Sequence, residues 1–172
     1  MGSLRIAGVA KQSIVDGAGL RFTLFTQGCP HGCPGCHNPA THDFSGGYDC
    51  GVEKILRELD SNPLLQGVTL SGGEPLCQAA ELLPLALALP VRGLDIWCYT
   101  GYTLEELLEM AVTDKPLAEL LTLIDVLVDG RYEALQRDLT LRFRGSRNQR
   151  ILDLPLSLSQ GRAVAWREPS YA

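Results

Sequence analysis

Apolar residues recur along this chain with two different periods. Short runs at 20–25, 67–70, 94–99 and 123–128 are rich in branched and aromatic residues and predict strands. Between them the spacing changes. Val52, Ile55, Leu56 and Leu59 stand three and four apart, which is one face of a helix. Residues 82–89, mostly Leu and Ala, predict a largely buried helix. Thr103 followed by Glu106 is a capping-box pair opening a helix that carries Leu104, Leu107 and Leu108. Pro116 begins a further short helix with Leu117, Leu120 and Leu121. Strands alternating with helices predict an α/β fold with a mainly parallel sheet and right-handed crossovers. Weaker signals at 151–154 and 163–166 are candidates for two more strands. There is no repeat, low-complexity stretch or linker, so one domain over 1–172 is expected. A closed eight-stranded barrel typically takes about 250 residues, so a partial barrel or open sheet fits this length. Function in such folds belongs at the carboxyl ends of the strands.

Composition narrows the class. An apolar fraction of 45% with 20% charged residues is that of an ordered globular domain. No run approaches the roughly 18 apolar residues of a membrane span. Residues 1–12 lack the apolar stretch of a signal peptide, so a cytoplasmic protein with no membrane attachment is expected. A net charge of −5 argues against a nucleic-acid partner, because affinity for phosphate backbones comes from clustered Lys and Arg. The charge is uneven: residues 53–129 hold thirteen acidic and four basic side chains, whereas 131–150 hold six Arg against Glu133 and Asp138. That stretch is either an ordinary solvated face or a docking surface.

Cysteine changes the picture most. Six in a chain of this kind point to metal or catalytic work rather than a disulfide framework. Three are crowded into Cys29-Pro-His-Gly-Cys33-Pro-Gly-Cys36, directly after the first strong strand, in a 28–49 connection too long to be passive. Cys50, Cys77 and Cys98 are scattered and read as small packing residues. Several chemistries fit the cluster. A structural zinc site needs a fourth ligand, His31 or His37. A haem attachment sequence is present as Cys33-Pro-Gly-Cys36-His37 but leaves Cys29 unused, and a redox dithiol needs two cysteines rather than three. A four-iron cluster held by three cysteines would leave one iron free to bind a substrate or cofactor. The second strand supplies an independent feature, running into Gly72-Gly73-Glu74-Pro75. Two glycines at a strand end permit close backbone approach, and Glu74 is a carboxylate suited to an ammonium group.

The C-x-x-x-C-x-x-C spacing after a strand resembles the motif of the radical S-adenosylmethionine superfamily. The run from Ser13 through Asp16, Gly17 and Arg21 to Cys29, the Cys36-His-Asn-Pro39 tetrapeptide, and Trp97-Cys-Tyr-Thr-Gly-Tyr102 are similar to glycyl-radical activating enzymes. Asp125-Val-Leu-Val-Asp-Gly-Arg131 and Gly145-Ser-Arg-Asn-Gln-Arg150 resemble the activators of anaerobic ribonucleoside-triphosphate reductase in particular. The matching motifs extend from about Ser13 to Asp153.

This resemblance implies a radical SAM core, a partial (β/α)6-type barrel of mainly parallel strands. It implies a [4Fe-4S] cluster on Cys29, Cys33 and Cys36. The reduced cluster would cleave S-adenosylmethionine, and the resulting 5′-deoxyadenosyl radical would generate a glycyl radical on anaerobic ribonucleotide reductase. By the same resemblance Gly35 and His37 lie near the adenine, and Gly72, Gly73 and Glu74 hold the amino end of S-adenosylmethionine. Thr100 and Asp129 sit at strand ends facing the site, and Arg131 pairs with the carboxylate. Asp16 contacts the incoming glycine. A flavodoxin or ferredoxin is the implied electron donor, and a homodimer is compatible with all of this. Two alternatives stay open at this point: an activator of another glycyl-radical enzyme, such as pyruvate formate-lyase, and a small zinc-binding interaction module.

Overall fold

The computed structural model describes residues 2–170. Its elements, in chain order, are strands β1 (Ser3–Ser13), β2 (Arg21–Thr26) and β3 (Tyr48–Gly51), helix α1 (Val52–Asp60) and strand β4 (Gly67–Gly72). There follow α2 (Ala79–Ala88), β5 (Asp95–Tyr99), α3 (Leu104–Ala111) and α4 (Lys115–Leu121), then β6 (Val126–Asp129), β7 (Arg150–Asp153) and α5 (Leu154–Gln160). The seven strands make one sheet in the order β3-β1-β2-β4-β5-β6-β7. The four central strands β2, β4, β5 and β6 are parallel, and β3, β1 and β7 flank them in antiparallel pairing. The α/β class with a mainly parallel core is therefore present. Of the two weaker strand candidates, the first is β7, an antiparallel edge. The second reduces to a single bridge between Ala165 and Leu152. Among the described residues no helix is long and apolar enough to cross a membrane.

Strand alternation sorts the side chains into two layers. Leu4, Ile6, Phe22, Leu24, Val68 and Leu70 point to the helix side, where α1 to α4 bury Ile55, Leu82, Leu107 and Leu120 against them. The predicted face of α1 is the buried one, with Val52, Ile55, Leu56 and Leu59 inside. The capping box of α3 forms as the sequence predicts: the Thr103 hydroxyl accepts from Glu106 N and the Glu106 carboxylate accepts from Thr103 N. Cys50 and Cys98 belong to this core, whereas Cys77 is exposed, which corrects the expectation that all three are packing residues.

The opposite layer is more polar and carries Arg21, Thr23, Thr69, Ser71, Trp97 and Tyr99. Toward the amino ends of the strands it is closed by a second, aromatic cluster. Trp97 meets Phe143 and Trp166 edge-on, with ring centroids 5.3 and 5.0 Å away. Toward the carboxyl ends it stays open.

Candidate functional site

The site begins where β2 ends. Gln27 is buried, and its side-chain amide donates to Ala40 O at 3.0 Å and Asp43 O at 2.7 Å. Gly28 N donates to Thr41 O at 2.7 Å and Cys29 N to His42 O at 3.1 Å, so the long connection is tied shut at its neck. Arg5 fastens the far limb, reaching Gly46 O at 2.7 Å and Ser45 O at 2.9 Å. Above the neck, Cys36 N donates to Cys33 O at 3.2 Å, a turn that brings the second and third thiols together. Cys29, Cys33 and Cys36 are all partly buried, and burial pushes the Cys29 thiol up in pKa, so metal ligation there releases a proton.

The end of β4 explains the glycine pair before any ligand is considered. Gly72 has φ +104°, and a Cβ there would stand 2.4 Å from Thr26 N. A Cβ at Gly73 would stand 2.3 Å from Gly28 O. Both collisions are with backbone, so only glycine lets β4 run this close to the neck of the cysteine loop. Gly73 N donates to Thr26 O and Glu74 N to Gly28 O, each at 2.8 Å, which locks the approach.

Two connected spaces open here. The inner recess, about 120 Å³, is lined by Cys29, Cys33, Cys36, Gly72, Gly73 and Thr100. The outer chamber, about 400 Å³, is lined by Asp16, Phe25, Cys36, His37, Asn38 and Leu141 among others. Ser71, Tyr99, Tyr132, Cys36 and Gln149 border both, so the two form one crevice.

The fold therefore assembles most of the residues that the sequence singles out. Glu74 lies beneath the recess, fully buried, accepting from Thr100 Oγ1 at 2.9 Å, Gly101 N at 2.9 Å and Leu76 N at 3.1 Å. The Asp16 carboxylate reaches the chamber while accepting from Ser13 Oγ at 2.5 Å and Thr23 Oγ1 at 3.1 Å. His37 is tilted against the Tyr132 ring, 4.9 Å away. Gly35, with φ +74°, borders neither space; its hydrogen points toward Tyr132 and Ala134, 3.6 Å from where a Cβ would be.

Two predicted residues face elsewhere. Asp129 is almost fully buried, but its carboxylate accepts from Leu104 N at 2.8 Å and Arg150 Nε at 2.9 Å, capping α3 rather than facing the crevice. Arg131 is drawn outward by Glu106 at 3.1 Å and lies over the Tyr102 ring at 5.9 Å. The arginine stretch as a whole is largely spent inside the chain. Arg142 pairs with Glu168 at 2.6 Å, Arg150 with Glu105 at 2.8 Å, Arg147 with Asp138 at 4.0 Å, and Arg144 donates to Gln149 O.

Other lining residues escape the sequence reading. Ser71 and Tyr99 share the polar face of the sheet, which strand alternation could have shown. Burial, with the Asp16 carboxylate nearby, pushes the Tyr99 phenol up in pKa, so it stays neutral in the crevice. Tyr132 and Gln149 come from irregular segments. Gln149 braces them by donating to Gly130 O at 3.0 Å and accepting from Gly145 N at 2.9 Å.

The residues present fit a multi-iron cluster. Three thiols border one recess whose other walls include Gly72, Gly73, Gly101 and Gly130, which carry no side chain to occupy it.

The match to a family model agrees with this. Residues 15–152 match the family described as the 4Fe-4S single cluster domain. The chain is 40% identical over 146 residues to the anaerobic ribonucleoside-triphosphate reductase-activating protein of Haemophilus influenzae, covering 80% of this chain and 90% of that one. It is 42% identical over 146 residues to the protein of the same name from Vibrio cholerae, with the same coverage. The crystal structure of QueE from Escherichia coli superposes with a TM-score of 0.49 at 20% identity, over 59% of this chain and 53% of that one.

Proposed function

The chain belongs to the family of anaerobic ribonucleoside-triphosphate reductase-activating proteins, and we propose that it installs a glycyl radical on such a reductase. The observation that carries this reading is the junction of three thiols and a glycine-lined strand end in one recess, continuous with a chamber of about 400 Å³. A reduced [4Fe-4S] cluster on Cys29, Cys33 and Cys36 would supply the electron for cleaving the sulfonium bond of S-adenosylmethionine to methionine and the deoxyadenosyl group that would take a hydrogen atom from a backbone glycine.

The chain's own residues bind, orient and exclude solvent. Cys29, Cys33 and Cys36 would hold the cluster, and the small residues Gly72 and Gly73 leave room beside it for the amino end of S-adenosylmethionine. The chamber next to Cys36 would take the adenosine portion, with His37 and Tyr132 on one wall. Phe25, Tyr99 and Leu141 give that chamber apolar surface, which excludes water from a reactive radical. Asp16, held by two hydroxyl donors, presents a fixed acceptor for the backbone N–H of the target glycine. In this reading the protein works in the cytoplasm, receives its electron from a flavodoxin or ferredoxin, and meets the reductase at the chamber mouth.

Anaerobic reconstitution with iron, sulfide, S-adenosylmethionine and a reductant tests the proposal. The expected result is 5′-deoxyadenosine release together with a glycyl radical signal on added anaerobic ribonucleotide reductase. Zinc at one per chain without sulfide would overturn it. So would a radical that forms on pyruvate formate-lyase and not on the reductase.

A further inference from the structure

His31 lies between the first two cysteines, two residues from each, yet its side chain is only 4% exposed. Its Nε2 stands 2.7 Å from Glu74 Oε2. The ring meets Tyr102 edge-on, with centroids 4.5 Å apart. A Cβ at Gly101 would stand 2.4 Å from His31 Cδ2, so the imidazole occupies the place of a side chain at that position. One residue of the cysteine loop thus reaches the ends of both β4 and β5.

The arithmetic of the Glu74 carboxylate gives this contact its meaning. Two carboxylate oxygens offer about four lone-pair sites. Leu76 N, Thr100 Oγ1, Gly101 N and His31 Nε2 are four donors, and the side chain has no exposed surface. An ionised carboxylate only accepts, so in that state the His31 nitrogen is the donor. The carboxylate is saturated, so an ammonium group could reach it only by displacing one of these four. Of the four, only His31 belongs to the cysteine loop.

We infer that His31 is a positioning residue that ties Cys29 and Cys33 to the strand ends through Glu74, and that the Glu74 carboxylate serves this tie rather than holding the cofactor's ammonium directly. The inference rests on the cluster and cofactor assignment proposed above and adds to it the group that sets the distance between them.

The test compares His31→Gln, which keeps an N–H donor, with His31→Leu, which fills space without one; His31→Asn, whose shorter amide cannot span the gap, replaces the latter if it does not fold. In the metal-free full chain, iodoacetamide should alkylate Cys33 several-fold faster in His31→Leu, with His31→Gln close to wild type. In the reconstituted protein, iron and sulfide content should stay near wild type in all variants. The KM for S-adenosylmethionine should rise about tenfold in His31→Leu, the size of a lost charge-assisted hydrogen bond, and recover in His31→Gln. Wild-type alkylation rates and KM in His31→Leu would overturn the inference, and so would equal impairment in His31→Gln. If the wild-type chain neither retains sulfide nor cleaves S-adenosylmethionine, the function fails instead, while the alkylation comparison still reports on His31.

Discussion

The two ends of the central sheet make an instructive pair. At the carboxyl ends lies the crevice, with a chamber of about 400 Å³; at the amino ends lies a hollow of about 310 Å³ lined by Ala18, Gln66, Asp95, Trp97, Asp125 and Trp166. Size does not separate them, and both contain charged and aromatic groups. The difference is what those groups are committed to. At the amino end Arg21 is fully buried and spent on Thr69 Oγ1 at 2.7 Å, Val68 O at 2.9 Å and Asp95 at 2.6 Å. It also lies over the Trp97 ring at 5.5 Å, so this end is a cross-brace. At the carboxyl end glycine lets the neighbouring backbones come together, and three thiols are left lining open space. Chemistry is readable where the chain keeps room, not where it fills it.

Substitutions at the two ends should differ sharply in consequence. The largest effect belongs to Cys33→Ala, which should abolish iron and sulfide loading; a protein with full cluster absorption would dissolve the contrast. Next is Gly73→Ala. Its Cβ meets backbone at 2.3 Å, so the strand end and loop neck must part, with a stability loss of about 1–3 kcal/mol and defective loading. Gly93→Ala is the contrasting control: Gly93 has a positive φ, +70°, which Gly73 does not, but nothing within 4 Å of a Cβ there, so the substitution should cost only about 1 kcal/mol and load normally.

A smaller and more selective effect is expected from Asp16→Asn. Glycyl-radical yield should fall about tenfold while S-adenosylmethionine cleavage persists. Equal loss of both would remove Asp16 from contact with the protein substrate.

The smallest belongs to the amino end. Burial, and the neighbouring Asp95 and Asp153, raise the Asp125 pKa. A carboxyl raised in the folded state supports folding fully below its unfolded pKa and loses that support as pH rises through the folded value. Asp125→Asn should therefore raise Tm slightly at pH 7, show no gain below about pH 4, and leave activity unchanged. A drop in cofactor affinity would show that the two ends are not independent.

Much of this division is legible in the sequence. The cysteine spacing, the glycine pair, the face of α1 and the capping box of α3 are local patterns, and local patterns survive folding unchanged. The edges are not legible. β1 buries Leu4 and Ile6 but leaves Val9 half out, and β3 buries only Cys50, because each is a strand by virtue of its neighbour rather than of its own periodicity. β6 starts at Val126, three residues beyond its predicted start, since Leu123 still closes α4 through its bond to Leu120 O. In the site, the charge of Glu74 was visible but its saturation was not, because three of its four donors come from other segments or depend on them. Tyr132 and Gln149 arrive from irregular chain whose course is set by side-chain bonds such as Gln149 to Gly130.

The neck of the cysteine loop has a bearing on assembly. Gln27, Arg5 and the Gly28–Thr41 bond close that loop with no help from the thiols. The entropy of bringing loop ends together grows with loop length and falls due when the ends first meet. Here that meeting is made by the sheet and the loop neck, so ligation by Cys29, Cys33 and Cys36 spans only the short arc between them. Ligation by the three thiols is thereby relieved of the cost of closing the loop.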